Sequence, residues 1–116
     1  MTPLQSKVRS FVHDNQLSTS VETRLLDAVS ELGELAKEAL RSSKYGKQPF
    51  TSSPAFADEL GDVLFSLICV ANEASVDVTQ AIESALARYE GRIRASGTAS
   101  SPNQTLEPTS FTASNS

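Results

Sequence analysis

The sequence predicts an all-α protein, a four-helix bundle followed by a tail without regular structure. Apolar residues recur at spacings of three and four along four segments, and no segment shows sustained strand alternation. Serine, threonine or aspartate stands where each of these segments begins, as expected of helix N-caps. The chain has 116 residues, of which 39% are hydrophobic, and this is room for one domain.

The first two helices are expected over residues 3–15 and 20–42. Thr2 is the expected N-cap of the first helix, because a proline follows it at the position where proline favours helix entry. Thr19 and Glu22 have the spacing of a capping box at the start of the second helix. Both helices therefore have a local signal that fixes where they begin.

The third helix is expected over residues 54–73, with Ser53 as its N-cap, and the fourth begins near Asp77. The apolar residues of the fourth helix follow a spacing close to a heptad seam: Val78, Ile82, Leu86, Tyr89 and Ile93. These four helices form one domain over residues 1–95. Residues 96–116 are rich in serine and threonine and hold one charged residue, so we expect a disordered tail.

Charge and cysteine content exclude several classes of protein. The net charge of −4 gives no diffuse basic field, so we expect neither a nucleic-acid polymer nor a membrane as a partner. Cys69 is the single cysteine, which excludes an internal disulfide and a cysteine-based zinc site. Its apolar neighbours predict a buried thiol, and a free thiol without a secretory signal fits the cytoplasm.

Four acidic residues share one narrow stripe of the second helix, and five apolar residues lie on the opposite side. At 100° per residue, the stripe contains Asp27, Glu31, Glu34 and Glu38. The opposite side contains Leu25, Val29, Leu32, Ala36 and Leu40. Taken alone, this pattern is typical of a surface helix with a solvated acidic face, because like charges along an exposed helix cost little.

The third helix favours a different interpretation. It is apolar on nearly every side between residues 55 and 71, yet its first turns carry Asp58, Glu59 and Asp62. Carboxylates on such a helix are costly to desolvate unless they are paired or bound to metal. One solution is a salt-bridge network with basic residues, for which the candidates are Lys37, Arg41, Lys44, Lys47, Arg88 and Arg92.

The other solution is a divalent metal ion. Two helices that each offer two acids one turn apart can bring four carboxylates to one point. Oxygen ligands without cysteine favour a hard ion, so Mg²⁺ is expected and Mn²⁺ is the alternative. The surplus apolar surface of the third helix also predicts that the chain oligomerises.

The two acid pairs form a longer pattern, Glu31-x-x-Glu34, then 24 residues, then Glu59-x-x-Asp62. The stretches ELGELA and DELGDVLFSL around these pairs resemble the two metal-binding motifs of the MazG-like family, in the all-α nucleoside triphosphate pyrophosphohydrolase superfamily. The resemblance covers about residues 18–94. Many members carry a further Glu immediately before the first motif, where this chain has Ser30.

The resemblance implies an enzyme that hydrolyses a nucleoside triphosphate to the monophosphate and pyrophosphate, in house-cleaning of non-canonical or excess nucleotides. It implies that Glu31, Glu34, Glu59 and Asp62 bind metal and that Glu31 or Glu34 activates water. Substrate-binding candidates are Lys37, Lys44, Lys47, Asn72, Arg88 and Arg92. It also implies a homodimer or homotetramer. The alternative, favoured by Ser30, is a non-catalytic interaction or regulatory module of the same fold.

Overall fold

The computed structural model describes residues 1–97, and within them the chain forms four α-helices and no strand. The helices are α1 (Pro3–Asp14), α2 (Val21–Ser42), α3 (Pro54–Glu73) and α4 (Val78–Ser96). This confirms the all-α prediction. The helix α4 extends one residue past the expected domain boundary at residue 95. The rest of the predicted tail, residues 98–116, lies outside the described residues.

Local capping interactions explain why the helix bounds follow the sequence closely. Thr2 caps α1, and its hydroxyl accepts a hydrogen bond from the backbone N–H of Gln5 at 3.1 Å. Ser53 caps α3 and likewise accepts from the backbone N–H three residues on, at 3.1 Å. The expected capping box at Thr19 is wrong, because Ser20 is the residue that caps α2.

The helices α1, α2 and α3 form one compact unit over Met1–Val78. The helix α3 contacts both others. The start of α2 meets the middle of α3, where the Arg24 guanidinium lies 5.5 Å from the Phe65 ring centroid, while Glu31 faces the beginning of α3 at Glu59. The two helices therefore run antiparallel, and antiparallel pairing brings their acid-bearing turns side by side.

The buried core of this unit is small and lies between α1 and the C-terminal half of α3. Val8 and Val12 of α1 are buried against Cys69, and Phe65 and Ile68 pack around them. Cys69 is only 3% exposed, which confirms the prediction of a buried cysteine. This core fixes the register between α1 and α3 without involving the acidic residues.

The apolar side of α2 is turned outward, opposite to the amphipathic pattern of a surface helix. Leu26 and Val29 are 71% and 69% exposed. In contrast, the side chain of Glu38 on the acidic stripe is only 17% exposed. Further exposed residues on this side are Leu25, Leu32 and Leu40, and we call the five together the leucine face. The acidic stripe instead borders α3.

The turn that follows α2 contains three successive residues with positive φ. Lys44, Tyr45 and Gly46 have φ values of 49°, 58° and 88°. The backbone N–H of Tyr45 donates to the carbonyl of Leu40 at 2.7 Å, and this bond ends the helix. Two lysines of this turn, Lys44 and Lys47, are exposed.

The second compact unit begins at Thr79 and contains the rest of α4. Its seam residues Ile82, Leu86 and Ile93 are exposed by 60%, 59% and 52%.

No helix in residues 1–97 combines the length and the apolar character that crossing a membrane requires.

Candidate metal centre

Three carboxylates meet where α2 and α3 run side by side. Glu31 comes from α2, and Glu59 and Asp62 come from adjacent turns of α3. One carboxylate oxygen from each residue lies within 4.8 Å of the others. We call these three residues the acid cluster. Their spacing in sequence places them on facing sides of two antiparallel helices, so one ion can contact all three.

The electrostatics of the acid cluster favour a positive charge between its members. Burial is the first cause that raises the pKa of Glu59 above its ordinary value of 4.5. The negative charges of four neighbouring carboxylates raise this pKa further, namely Asp62, Glu31, Glu34 and Glu38. Within the described part of the chain, no Lys or Arg forms an ion pair with any member of the cluster. The donor set therefore fits a hard divalent cation.

Glu34, the fourth predicted ligand, lies outside the acid cluster. Its carboxylate pairs with the Nζ atom of Lys37 at 3.8 Å, and the two side chains are 52% and 63% exposed. It still lies close enough to the cluster to raise the pKa of Glu59. Its position beside the cluster leaves it free for a role other than holding the ion.

The salt-bridge network, the alternative to a metal ion, is present only in part. On α2, Arg24 pairs with Asp27 at 3.7 Å, and Arg41 pairs with Glu38. These pairs join neighbours on one helix, as does the pair formed by Glu34. These pairs neutralise other carboxylates of the acidic stripe, and they leave the negative charge of the acid cluster uncompensated.

Sequence reasoning missed Arg24, which lies at the edge of the acid cluster. A cavity of about 440 Å³ beside the cluster is lined by Arg24, Asp27, Glu31, Asp62, Phe65 and Ser66. We call it the acid groove. The side chain of Arg24 is only 11% exposed, and its Nη2 donates to the carbonyl of Leu17 at 2.6 Å. Helical phase places Arg24 on the stripe of Asp27 and Glu31, and this signal was available in the sequence.

Asn72 is predicted to bind substrate, and the structure places its amide in a buried hydrogen-bond network. Its Oδ1 accepts from Nε2 of Gln5, and its Nδ2 donates to the backbone carbonyl of Gln5, both at 3.0 Å. Gln5 also accepts from the N–H of Val78 at 3.0 Å and donates to the carbonyl of Val76 at 2.8 Å. We call Gln5 and Asn72 the amide cluster, which ties α1 to the end of α3.

The other predicted substrate-binding residues lie in the turn after α2 or on the second unit. Lys44 and Lys47 are exposed in the turn after α2. On α4, Arg88 donates to the hydroxyl of Ser84 at 3.0 Å, and the Arg92 guanidinium lies 5.6 Å from the ring centroid of Tyr89. The structure brings together Glu31, Glu59 and Asp62, and neither Lys44 nor Lys47 forms an ion pair with them.

Comparisons with known proteins find a family and a bacterial protein to which the chain is similar. Residues 19–95 match the family described as the MazG nucleotide pyrophosphohydrolase domain. The chain is 34% identical over 65 residues to the uncharacterized protein YpjD of Bacillus subtilis, an alignment that covers 53% of this chain and 57% of that protein. The chain thus spans little more than half the length of this relative.

A solved structure has the same fold. The crystal structure of Bacillus subtilis YpjD, described as a candidate pyrophosphatase, superposes with a TM-score of 0.61 at 29% sequence identity. The superposition covers 74% of this chain and 88% of that one.

Proposed function

We propose that this chain, which belongs to the MazG nucleotide pyrophosphohydrolase family, is a Mg²⁺-dependent nucleoside triphosphate pyrophosphohydrolase. It converts a (deoxy)nucleoside triphosphate to the monophosphate and pyrophosphate, and it removes non-canonical or excess nucleotides. The observation that carries the proposal is the acid cluster, in which oxygens of Glu31, Glu59 and Asp62 lie within 4.8 Å of one another and no Lys or Arg of residues 1–97 pairs with them. A cytoplasmic location belongs to the same proposal, supported by the free thiol of Cys69.

The substrate explains why an acidic site is useful. A triphosphate is a polyanion, so three carboxylates repel it unless a cation lies between them. When bound, Mg²⁺ neutralises phosphate oxygens, polarises the α-phosphorus and lowers the pKa of water. Glu31, Glu59 and Asp62 would hold this ion, and Mn²⁺ offers the same oxygen-ligand chemistry.

Glu34, the fourth acid of the two sequence motifs, is assigned a role different from that of the acid cluster. Glu34 lies beside the acid cluster and outside it, paired with Lys37 at 3.8 Å. It is therefore our candidate for the general base that orients water and accepts its proton. Glu31, the other candidate from the sequence, is already committed to the cluster. The positive charge that meets the outer phosphates is assigned to the exposed Lys44 and Lys47, and to Arg88 and Arg92.

The outward leucine face supports a homodimer or homotetramer. Five large apolar side chains on one side of a helix, two of them about 70% exposed, form a surface that soluble monomers rarely present. Burying this face against a second copy removes it from water and leaves the acidic stripe facing α3. Sedimentation at micromolar concentration tests this part of the proposal, and a stable monomer contradicts it.

The second candidate is a non-catalytic interaction module of the same fold. Two observations favour it: Ser30 stands where many members carry another acid, and the leucine face is ready to contact a partner. Such a module would bind protein or nucleotide without turnover.

A substrate panel distinguishes the two. Purified protein is incubated with each NTP and dNTP in Mg²⁺ or EDTA, and products are separated. We expect pyrophosphate and monophosphate with metal only, and loss of turnover in Glu59→Gln at unchanged helicity. Orthophosphate with the diphosphate indicates cleavage between the β and γ phosphates and contradicts the mechanism. No turnover on any substrate, with binding retained, favours the module.

A further inference from the structure

A second cavity lies beyond the acid groove, where α1 packs on the C-terminal half of α3. It has a volume of about 210 Å³, and its floor is formed by the buried residues Val12 and Cys69. The rim carries polar side chains, among them Arg9, Arg24 and Glu73. A cavity of about 150 Å³ holds one benzene ring, so this cavity has room for a single six-membered ring. We call it the thiol cavity.

The thiol cavity and the acid groove lie along one stripe of α3. Asp62 and Ser66 line the groove, and Cys69 and Glu73 line the thiol cavity. These four residues follow the spacings of three and four that define one helical face. Cys69 lies two turns beyond Asp62, a rise of about 10 Å. A nucleoside attached to a phosphate in the groove extends over this kind of distance.

Arg24 is the element that the two cavities share, because its side chain lines both. Three contacts hold it in place. Its guanidinium lies 5.5 Å from the Phe65 ring centroid, donates to the carbonyl of Leu17 and pairs with Asp27 at 3.7 Å. A fixed cation at this boundary is placed to meet the sugar or the phosphate nearest to it.

The thiol cavity also presents polar groups that the fold leaves without strong partners. Arg9 makes one long contact, from Nη2 to the carbonyl of Asn72 at 3.5 Å. In residues 1–97, the Glu73 carboxylate has no hydrogen bond or ion pair. The side-chain amide of Asn72 is already satisfied by Gln5. The cavity is also lined by the hydroxyls of Ser18 and Thr19, but among its described lining residues Glu73 is the only carboxylate.

We propose that the thiol cavity receives the pyrimidine base of the substrate and that Glu73 selects a base with an exocyclic amino group. The inference rests on the proposed function and adds the place and the preference of the base. A carboxylate accepts hydrogen bonds only, and an amino group donates to it. Uracil and thymine offer one ring N–H between two carbonyl oxygens, and these oxygens repel the carboxylate. Cytosine differs from uracil at this edge and has the same size.

The single cysteine of the chain provides a built-in reporter of occupancy. The rate at which a small maleimide alkylates Cys69 is measured in EDTA, without ligand and with CMP, UMP or inorganic phosphate. A ligand at about ten times its Kd leaves about one tenth of the cavity open, so we expect CMP to slow alkylation about tenfold. We expect a smaller effect from UMP and none from phosphate. An unchanged rate with millimolar CMP, or equal slowing by phosphate, overturns the assignment of the cavity.

Substitution of Glu73 tests the preference. We expect Glu73→Gln to bring the protection by CMP and by UMP to within about twofold of each other, because the amide offers both a donor and an acceptor. Glu83→Gln is the matched control, since Glu83 is exposed and does not line the cavity. A CMP-to-UMP ratio in Glu73→Gln equal to that of the unchanged protein overturns the role of Glu73.

This experiment separates failure of the inference from failure of the proposed function. Glu59→Gln removes a member of the acid cluster, which is not part of the thiol cavity. CMP should still protect Cys69 in this variant although hydrolysis is lost. Protection by CMP in a protein that hydrolyses no triphosphate leaves the cavity standing and removes the function. Hydrolysis without protection removes the inference alone.

Discussion

The unit formed by α1, α2 and α3 has a cluster of polar side chains near each end, and the two clusters have different roles. In the amide cluster, the side chains of Gln5 and Asn72 bond to each other and to four backbone groups, and both residues are buried. In the acid cluster, three carboxylates lie within 4.8 Å and no basic side chain in the described residues pairs with them. The comparison indicates which polar groups maintain the fold and which are available for chemistry.

Removing a carboxylate from the acid cluster is the change with the largest expected effect. Glu59→Gln keeps the size of the side chain and removes its charge, so the cluster loses much of its attraction for a divalent ion. We expect the rate of pyrophosphate release to fall roughly 100- to 1000-fold. Glu22→Gln, at an exposed position in the first turn of α2, is the matched control. Full activity in Glu59→Gln contradicts the proposed centre.

Breaking the amide cluster should lower the stability of the fold and leave the activity unchanged. Gln5→Leu has a similar volume but leaves the amide of Asn72 without its side-chain partner. Leaving a buried polar group unsatisfied costs about 2 kcal/mol in the free energy of unfolding, which urea denaturation measures. We expect KM to remain unchanged. A raised KM with unchanged stability would instead favour the predicted substrate-binding role of Asn72.

Divalent metal ions should stabilise the folded protein through the acid cluster and not through the amide cluster. Mg²⁺ at about ten times its Kd adds about 1.4 kcal/mol to the free energy of unfolding, and Tm rises by roughly 5–10 °C. The gain should vanish in Asp62→Asn and persist in Gln5→Leu. Differential scanning calorimetry in Mg²⁺ and in EDTA provides the measurement. An equal gain in Asp62→Asn would show that the ion binds elsewhere.

The smallest expected effect is the pH dependence of the metal-free protein. The folded state raises the pKa of Glu59 above 4.5, so just above pH 4.5 the folded chain binds more protons than the unfolded chain. The contribution of Glu59 is therefore most favourable at low pH, and it declines as pH rises through the raised pKa. In EDTA, Glu59→Gln should show a smaller decline in Tm between pH 4.5 and 7 than the unchanged protein. Parallel curves of Tm against pH for the two proteins would contradict this contribution of Glu59.

The parts of the fold that depend on local signals could be predicted from the sequence. Thr2 and Ser53 bond to backbone groups three residues away, so their capping roles are visible in a short window. The one capping error is a shift of one residue, from Thr19 to Ser20, because adjacent hydroxyl residues compete for the same N–H groups. The three members of the acid cluster could also be predicted, since their spacing places them on facing helices.

The orientation of α2 could not be predicted from its own pattern. An amphipathic helix normally turns its apolar side inward, yet Leu26 and Val29 are exposed and the acidic stripe borders α3. Which side of α2 faces inward depends on the elements that pack against each side, and the sequence of one helix does not specify these elements. The contacts of Arg24 with Phe65 and of Gln5 with Asn72 were missed for a similar reason, because they join residues far apart in sequence.

The turn after α2 combines a proposed binding role with an unfavourable backbone. Lys44 and Tyr45 adopt φ values of 49° and 58°, a region where a glycine is more at ease than either side chain. Lys44→Gly would relax the chain and at the same time delete a positive charge. If Lys44 has its proposed binding role, a substitution chosen here to raise thermal stability would lower ligand affinity.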